Sequence, residues 1–274
     1  MPWIRAILRK GFRKRAETMR DTLDDLWLSI KNIAFPQFCA VCDARLLTEE
    51  IPFFCPTCWE ASPRIEPPFC SISGHPHEGA VGFGFREEFP SAEWRDTTET
   101  KRGFHRMYGA AIYEDAVAEA IKKLKFHGKT RIVPHLAEVM REFASQYMHT
   151  ARYDHLIPVP LYKVRQRERG FNQALHLAEA ILPAFPNATL DTTLTRIRPT
   201  LSQSRAQNPA ERRKNIQGAF AVTGGGEHLR GKTVLLIDDV VTTAATIIEC
   251  AHALKKAGVE RVDGFACALA KRGK

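Results

Sequence analysis

Apolar and polar positions follow two periods along most of this chain. From residue 107 onward, short apolar runs alternate with stretches whose apolar residues recur three and four apart. A strand is predicted over 108–113, followed by a helix with Val117, Ala120, Ile121 and Leu124 on one face. Gly128 stands where a C-terminal cap is expected. A second helix follows Pro134, with Leu136, Val139, Met140 and Phe143 turned inward. Residues 155–160, His-Leu-Ile-Pro-Val-Pro, read as a strand running into a proline-constrained loop. Residues 171–182 are helical by period, whereas 196–217 are polar, cationic and weakly periodic, as a mobile loop is. The apolar run from Val234 to Ile237 predicts the central strand, 246–256 a helix stopped at Gly258, and 259–269 a further strand. Strands alternating with helices predict an α/β fold with a mostly parallel, covered sheet. Ligands of such sheets sit beyond the carboxyl ends of the strands.

The region before residue 107 is different. Leu23, Leu26, Trp27, Ile30 and Ile33 mark an amphipathic helix over 21–34, which Phe35-Pro36 stops. Residues 61–105 are poor in periodicity and read as irregular structure. Three regions are therefore expected: a basic arm with an amphipathic helix over 1–35, a small cysteine module over 36–80, and a larger α/β domain over 105–274. No run approaches the roughly 18 apolar residues of a membrane span.

The net charge of +9 favours a polyanionic ligand, either nucleic acid or phosphates. Seven cysteines without a secretory signal point to reduced thiols and a cytoplasmic location. Arg5, Arg9, Lys10, Arg13, Lys14, Arg15 and Arg20 crowd the start of the chain, interleaved with Trp3, Ile4, Ile7, Leu8 and Phe12. Such an arm suits nucleic acid or an acidic membrane surface, and equally a solvated terminus.

Two motifs carry chemistry. Cys39-x-x-Cys42 and Cys55-x-x-Cys58 are separated by twelve residues, a spacing that lets four thiolates meet around one tetrahedral Zn2+. Four protein ligands close the coordination shell, so this ion is structural. Cys70 has no partner cysteine at Ser73, although His75 and His77 are near. Cys250 and Cys267 fit core positions. The second motif is Val234-Leu-Leu-Ile-Asp-Asp-Val-Val-Thr-Thr-Ala-Ala-Thr246. Asp238 and Asp239 end a strand. Thr242, Thr243, Ala244, Ala245 and Thr246 form a turn of small residues that opens a helix. A helix N-terminus attracts anions, and paired carboxylates hold hydroxyls or a hydrated cation, so the motif suits a phosphorylated sugar. Arg165, Arg167 and Arg169 precede Gly170-Phe171-Asn172-Gln173 and match pyrophosphate oxygens, or form a solvated cationic turn. Lys125 ends a helix, where it either meets a ligand or balances the helix dipole.

In their order, Leu124-Lys-Phe-His-Gly128, Pro158-Val-Pro160, Arg167-Glu-Arg-Gly-Phe-Asn-Gln-Ala174, Glu211-Arg-Arg-Lys-Asn-Ile-Gln-Gly-Ala-Phe220 and Leu235-Leu-Ile-Asp-Asp-Val-Val-Thr-Thr243 resemble the blocks of the ComF competence family. The resemblance runs from about residue 35 onward. It implies an N-terminal zinc ribbon and a type I phosphoribosyltransferase-like parallel sheet flanked by helices, using phosphoribosyl pyrophosphate with Mg2+ in DNA uptake and natural transformation. Asp238 and Asp239 would hold the ribose 2′- and 3′-hydroxyls, and the 242–246 turn the 5′-phosphate. The segment after Pro160, with Arg167, Arg169, Asn172 and Gln173, would lie near the pyrophosphate, and 196–213 would be a lid. An alternative is a non-catalytic adaptor that binds single-stranded DNA or a competence helicase. Two positions depart from the family's pattern. Ala244 stands where glycine is usual, at a cost of about 1 kcal/mol if its φ is positive, and Ser73 stands where the family often completes another cysteine pair.

Overall fold

The computed structural model describes residues 36–48, 50–77, 91, 94, 97–199 and 216–271. The basic arm, the 21–34 helix and residues 200–213 of the expected lid lie outside them. The chain divides after Pro56 into a small N-terminal unit and a large C-terminal one.

The N-terminal unit holds an antiparallel pair, β1 (Gln37–Phe38) and β2 (Arg45–Leu46). The Cys39 N–H donates to Ala44 O at 2.8 Å and the Asp43 N–H to Cys39 O at 3.0 Å, which folds the chain between them into a tight knuckle. Helix α1 (Pro56–Glu60) follows and carries Cys58.

The large unit is built on a parallel five-stranded sheet. In chain order its elements are α2 (Glu99–Arg102), β3 (Arg106–Ile112), α3 (Asp115–His127), α4 (Val133–Tyr147), β4 (His155–Pro158), α5 (Lys163–Arg169), α6 (Gln173–Ile181), β5 (Thr189–Leu190), β6 (Leu194–Arg196), β7 (Phe220–Val222), β8 (Thr233–Val241), α7 (Ala245–Lys256) and β9 (Arg261–Leu269). The sheet order is β3-β9-β8-β4-β5, and every pairing within it is parallel. β6 and β7 form a separate antiparallel ribbon.

The predicted faces are the buried ones. Val117, Ala120, Ile121 and Leu124 of α3 are buried, as are Leu136, Val139, Met140 and Phe143 of α4. Helix α3 stops at Gly128, whose φ of 62° is left-handed and open to glycine without steric cost. Helix α4 packs on β3 and β9, α6 on β4 and β8, and α7 on β8, β9 and the β6–β7 ribbon. Covered strands carry no polar alternation, and Val234 to Ile237 are fully buried.

Within 61–105, read as irregular, the structure places α2 and isolated bridges pairing Arg64 with Ala111 and Phe69 with Pro76. Phe69 packs its ring 5.8 Å from that of Phe143, so this segment joins the core through single residues rather than by a period.

Two polar clusters brace the sheet away from the carboxyl ends. Asp263 is fully buried and accepts the Arg106 N–H at 3.1 Å, the Tyr153 hydroxyl at 2.9 Å and Arg261 Nε at 3.1 Å. Asp191 accepts both the Thr193 N–H at 2.9 Å and its hydroxyl at 2.6 Å on Oδ1, and His228 Nε2 at 2.7 Å on Oδ2. The second cluster joins the residues just before β6 to those just after β7.

Candidate functional site

The carboxyl ends of β4 and β8, neighbours in the sheet, open into one cleft of about 940 Å³. The 242–246 turn, α5, the start of α6 and the last turn of α3 all contribute to its lining.

The predicted strand ends at Ile237, but β8 runs on through the acids to Val241, held by pairing with Ala268 and Leu269 of β9. Successive strand residues leave on opposite faces, so Asp238 and Asp239 have different environments. Asp239 is buried, and Lys125 Nζ lies 2.9 Å from its Oδ1. That oxygen also accepts the Val240 N–H at 2.8 Å. Its Oδ2 is buried with no hydrogen-bond partner. Asp238 is half-buried, and its Oδ1 accepts the Asp239 N–H at 2.9 Å. Burial pushes the Asp238 carboxyl well above the usual carboxylate range and the Asp239 charge adds to it, while Lys125 opposes both. For Lys125, burial disfavours the charge, but Asp239 and Asp238 outweigh it and raise its pKa.

The turn after β8 leaves Ala244 at φ 55°, ψ 0°, with no side chain capping α7. Ile248 is the residue whose N–H closes on Ala244 O, at 2.9 Å. Ala245, Thr246 and Ile247 form the first turn of α7 and line the cleft at the positive end of the helix dipole.

The arginine cluster is helical rather than a turn. Arg165 and Arg169 stand four apart on α5 and both line the cleft, whereas Arg167, between them, is exposed and does not. The Arg169 guanidinium sits 5.5 Å over the Phe126 ring. Asn172 lines the cleft, but its side chain is committed: Nδ2 donates to Val159 O at 3.1 Å and Oδ1 accepts the Ala174 N–H at 3.1 Å, capping α6. Gln173 is buried and lines the cleft. Arg196, in β6, lines it too.

Two features escaped the sequence reading. Pairing of Lys125 with Asp239 joins residues far apart in sequence, and no local signal announces it. Phe126 is 68% exposed at the cleft. Its position off the Val117–Leu124 apolar stripe was the available clue.

Cys39, Cys42, Cys55 and Cys58 place their sulfurs within 4.8 Å of one another. The Cys42 and Cys55 sulfurs are 3.8 Å apart, close to the edge of about 3.8 Å that a Zn–S bond of about 2.3 Å gives a tetrahedron. Burial opposes ionisation of Cys39, but hydrogen bonds from the Cys55, Cys42 and Val41 backbone more than offset it, bringing the thiol to about 6. The donor set fits structural zinc. Among the described residues it is the one such cluster. Cys70 is buried and its sulfur accepts the Ser73 N–H at 3.4 Å and the Ser91 N–H at 3.2 Å. Cys250 and Cys267 are core residues, and burial pushes the Cys267 thiol up to about 12. No helix among the described residues is long and apolar enough to cross a membrane.

Comparison with known proteins agrees with this architecture. Residues 172–274 match a phosphoribosyl transferase domain and residues 30–88 a double zinc ribbon domain. Competence protein F of Haemophilus influenzae is 30% identical over 161 residues, covering 58% of this chain and 70% of that protein. DNA utilization protein YhgH of Escherichia coli K12 is 27% identical over 165 residues, with the same coverage of 58% and 70%. Competence protein ComFC of Bacillus subtilis is 25% identical over 210 residues, covering 74% and 78%. Among solved structures, the allosteric regulatory enzyme of purine biosynthesis matches at a TM-score of 0.31 and 16% identity, covering 50% of this chain and 26% of that one. A purine phosphoribosyltransferase of Pyrococcus horikoshii matches at 0.27 and 16%, covering 53% and 75%. The two domain matches give the chain a phosphoribosyltransferase-type α/β fold preceded in sequence by a zinc ribbon.

Proposed function

The chain belongs to the ComF family of competence proteins, and from that premise we propose that its cleft binds phosphoribosyl pyrophosphate with Mg2+ and that the protein serves DNA uptake. One observation carries the reading: a helix N-terminus without a side-chain cap and a pair of carboxylates line the same cleft. That combination matches a monophosphate joined to a diol.

Each residue then has a task. Thr242, Thr243 and the amides from Ala244 to Thr246 hold the 5′-phosphate. Asp238 and the free oxygen of Asp239 accept hydrogen bonds from the ribose hydroxyls, and Lys125 fixes Asp239 in place. Arg165 and Arg169 face the charge that grows on the departing pyrophosphate as the ribose carbon becomes cationic. Most of the rate then comes from placed charge and excluded water rather than from one acid or base. The hard oxygens of Asp238 and Asp239 suit Mg2+, which would neutralise pyrophosphate charge.

Calorimetry with phosphoribosyl pyrophosphate and Mg2+ tests this. The wild type should give a binding isotherm and Asp238→Asn should weaken it by about tenfold, the worth of one charged hydrogen bond. A silent wild type removes the ligand assignment. The adaptor reading, with single-stranded DNA or a helicase as partner, draws on the net charge of +9 and on the basic arm. DNA binding that survives Asp238→Asn and falls steeply with salt is its expected mark.

A further inference from the structure

Two knuckles in this chain are built on the same hydrogen bonds. In the first, the Cys39 N–H donates to Ala44 O at 2.8 Å and the Asp43 N–H donates back to Cys39 O at 3.0 Å. In the second, the Cys70 N–H donates to His75 O at 2.8 Å and the Gly74 N–H donates back to Cys70 O at 2.9 Å. The residue four places after each cysteine is left-handed, with φ 57° at Asp43 and 71° at Gly74. Antiparallel pairing closes each turn at matching positions, Phe38 with Arg45 and Phe69 with Pro76. The sulfurs correspond as well. Cys39 accepts hydrogen bonds from the Cys42 and Cys55 backbone, and Cys70 accepts the Ser73 N–H at 3.4 Å and the Ser91 N–H at 3.2 Å. Cys70, Ser73, Ser91 and Trp94 therefore stand where Cys39, Cys42, Cys55 and Cys58 stand in the zinc-binding set, with the same two-residue gap inside each pair.

The double zinc ribbon that this region matches would hold two ions, and the second set of positions does not fit one. Structural zinc takes thiolate, imidazole or carboxylate ligands; a neutral hydroxyl is not among them, and an indole N–H only donates. His75 and His77 do not complete the set: His75 Nε2 lies 3.1 Å from Ala270 O, and no three cysteine, histidine or acidic ligand atoms converge at Cys70 among the described residues. The Ser73 and Ser91 hydroxyls donate to the Cys70 sulfur instead. Packing anchors the same knuckle. Phe69 is buried against the rings of Phe143 and Tyr147, the Trp94 ring lies 5.9 Å from that of buried Phe104, and the Met107 N–H of β3 donates to Ile72 O at 2.7 Å. In the first knuckle Phe38 and Val41 are exposed. A small module with an open surface needs a staple, whereas one that shares the core of a larger sheet does not.

We infer that Cys70, Ser73, Ser91 and Trp94 are the ligand positions of a second ribbon that has exchanged its metal for hydrogen bonds to one sulfur and for packing on the sheet. The chain thus carries one ribbon held by zinc and one that needs none, and loss of zinc acts on the first alone.

The experiment compares the full-length wild type with Ser73→Cys/Ser91→Cys/Trp94→Cys. Metal analysis should find about twice as much zinc in the variant, and Co2+ in place of zinc should give about twice the thiolate-to-metal absorption, because four thiolates then meet at each set. A variant with an unchanged far-ultraviolet spectrum whose zinc content stays at the wild-type level overturns the inference. Amide exchange of the wild type decides independently, including where the variant does not fold. Stripping zinc with a chelator, checked by metal analysis, should speed exchange at the Cys39 and Asp43 N–H groups by about tenfold or more and leave those of Cys70 and Gly74 within about twofold. Equal behaviour of the two knuckles, whether both accelerate or neither does, overturns the inference.

Discussion

At the residue scale, two positions show how a local cost is tied to a ligand. Ala244 sits at φ 55°, where a Cβ costs about 1 kcal/mol. Glycine removes that strain but also gives the unfolded chain more freedom, worth roughly 0.5–1 kcal/mol. The two nearly cancel, so Ala244→Gly is expected to leave the urea midpoint almost unchanged. Its effect should fall on ligand affinity instead, since the backbone gains freedom to approach a phosphate. Tighter binding of phosphoribosyl pyrophosphate is the expected calorimetric result, and weaker binding would show that the methyl is accommodated by design. Lys125 and Asp239 are the second case. Removing one partner of a pair this enclosed leaves a desolvated charge, so Lys125→Met should cost about 2–4 kcal/mol in urea unfolding at pH 7, discounted for the partial exposure of Lys125. Replacing Asp239 by leucine in the same variant should recover much of that loss. Additive losses would mean that the two side chains do not depend on each other. The pair was invisible in sequence because its members stand 114 positions apart.

At the element scale, α5 converts a run of alternate arginines into two functions. A helix puts positions four apart on one face, so Arg165 and Arg169 meet the cleft and Arg167 meets solvent. Arg169→Ala should weaken phosphoribosyl pyrophosphate several-fold and Arg167→Ala should not, as read by calorimetry; the reverse order would place the other helix face in the site. Alternation of Arg and other residues over 165–169 carries no helical period of its own, so in the sequence a pyrophosphate contact and a solvated turn both stay open. The ribbon of β6 and β7 has a different device at its base. Both nitrogens of His228 face acceptors, Asp191 Oδ2 at 2.7 Å and Gly225 O at 3.0 Å. Only the imidazolium can donate twice. The hydrogen bond to Asp191 raises the His228 pKa, followed in weight by that to Gly225. For Asp191, burial raises the pKa, but the bonds from Thr193 and His228 lower it on balance. A raised histidine stabilises fully below its unfolded value of about 6.5 and loses this as pH climbs through the folded value. A depressed carboxylate stabilises above its unfolded value of about 3.9 and loses this as pH falls through the folded one. The pair is therefore at full strength between about 4 and 6.5, with His155, Asp154 and Lys232 as its titratable neighbours. The difference in melting temperature between wild type and His228→Gln should be largest near pH 6 and shrink by pH 8. A difference independent of pH would assign His228 to packing.

At the scale of the whole molecule, the cysteines divide by environment rather than by number. A family match to a double ribbon invites two ions, yet Cys70 is enclosed and its sulfur already accepts two N–H groups. One zinc per chain is the expected result of metal analysis on the purified protein, and two would show that Cys70 has joined a second centre. Cys58→Ser should release that zinc while the far-ultraviolet signal of the parallel sheet and its helices persists, because the sheet's core residues lie in the large unit. The sheet itself should answer to Asp263, whose carboxylate collects donors from β3, β9 and Tyr153. Its elements come from distant parts of the chain, so one buried carboxylate helps set the register of strands that never touch in sequence.

The alternation of β3, α3, α4, β4, α6, β8, α7 and β9, the inward faces of α3 and α4, the Gly128 stop and the four-thiolate spacing were written in the sequence, because each follows from a period or a fixed ligand spacing that acts within a few residues. The extension of β8 through its two acids, the burial of Asp239 against Lys125 and the separation of Arg167 from its neighbours were settled only by the tertiary structure. Strand pairing, enclosure and ion pairing depend on which distant surfaces meet, and a pattern along one chain does not contain that distance.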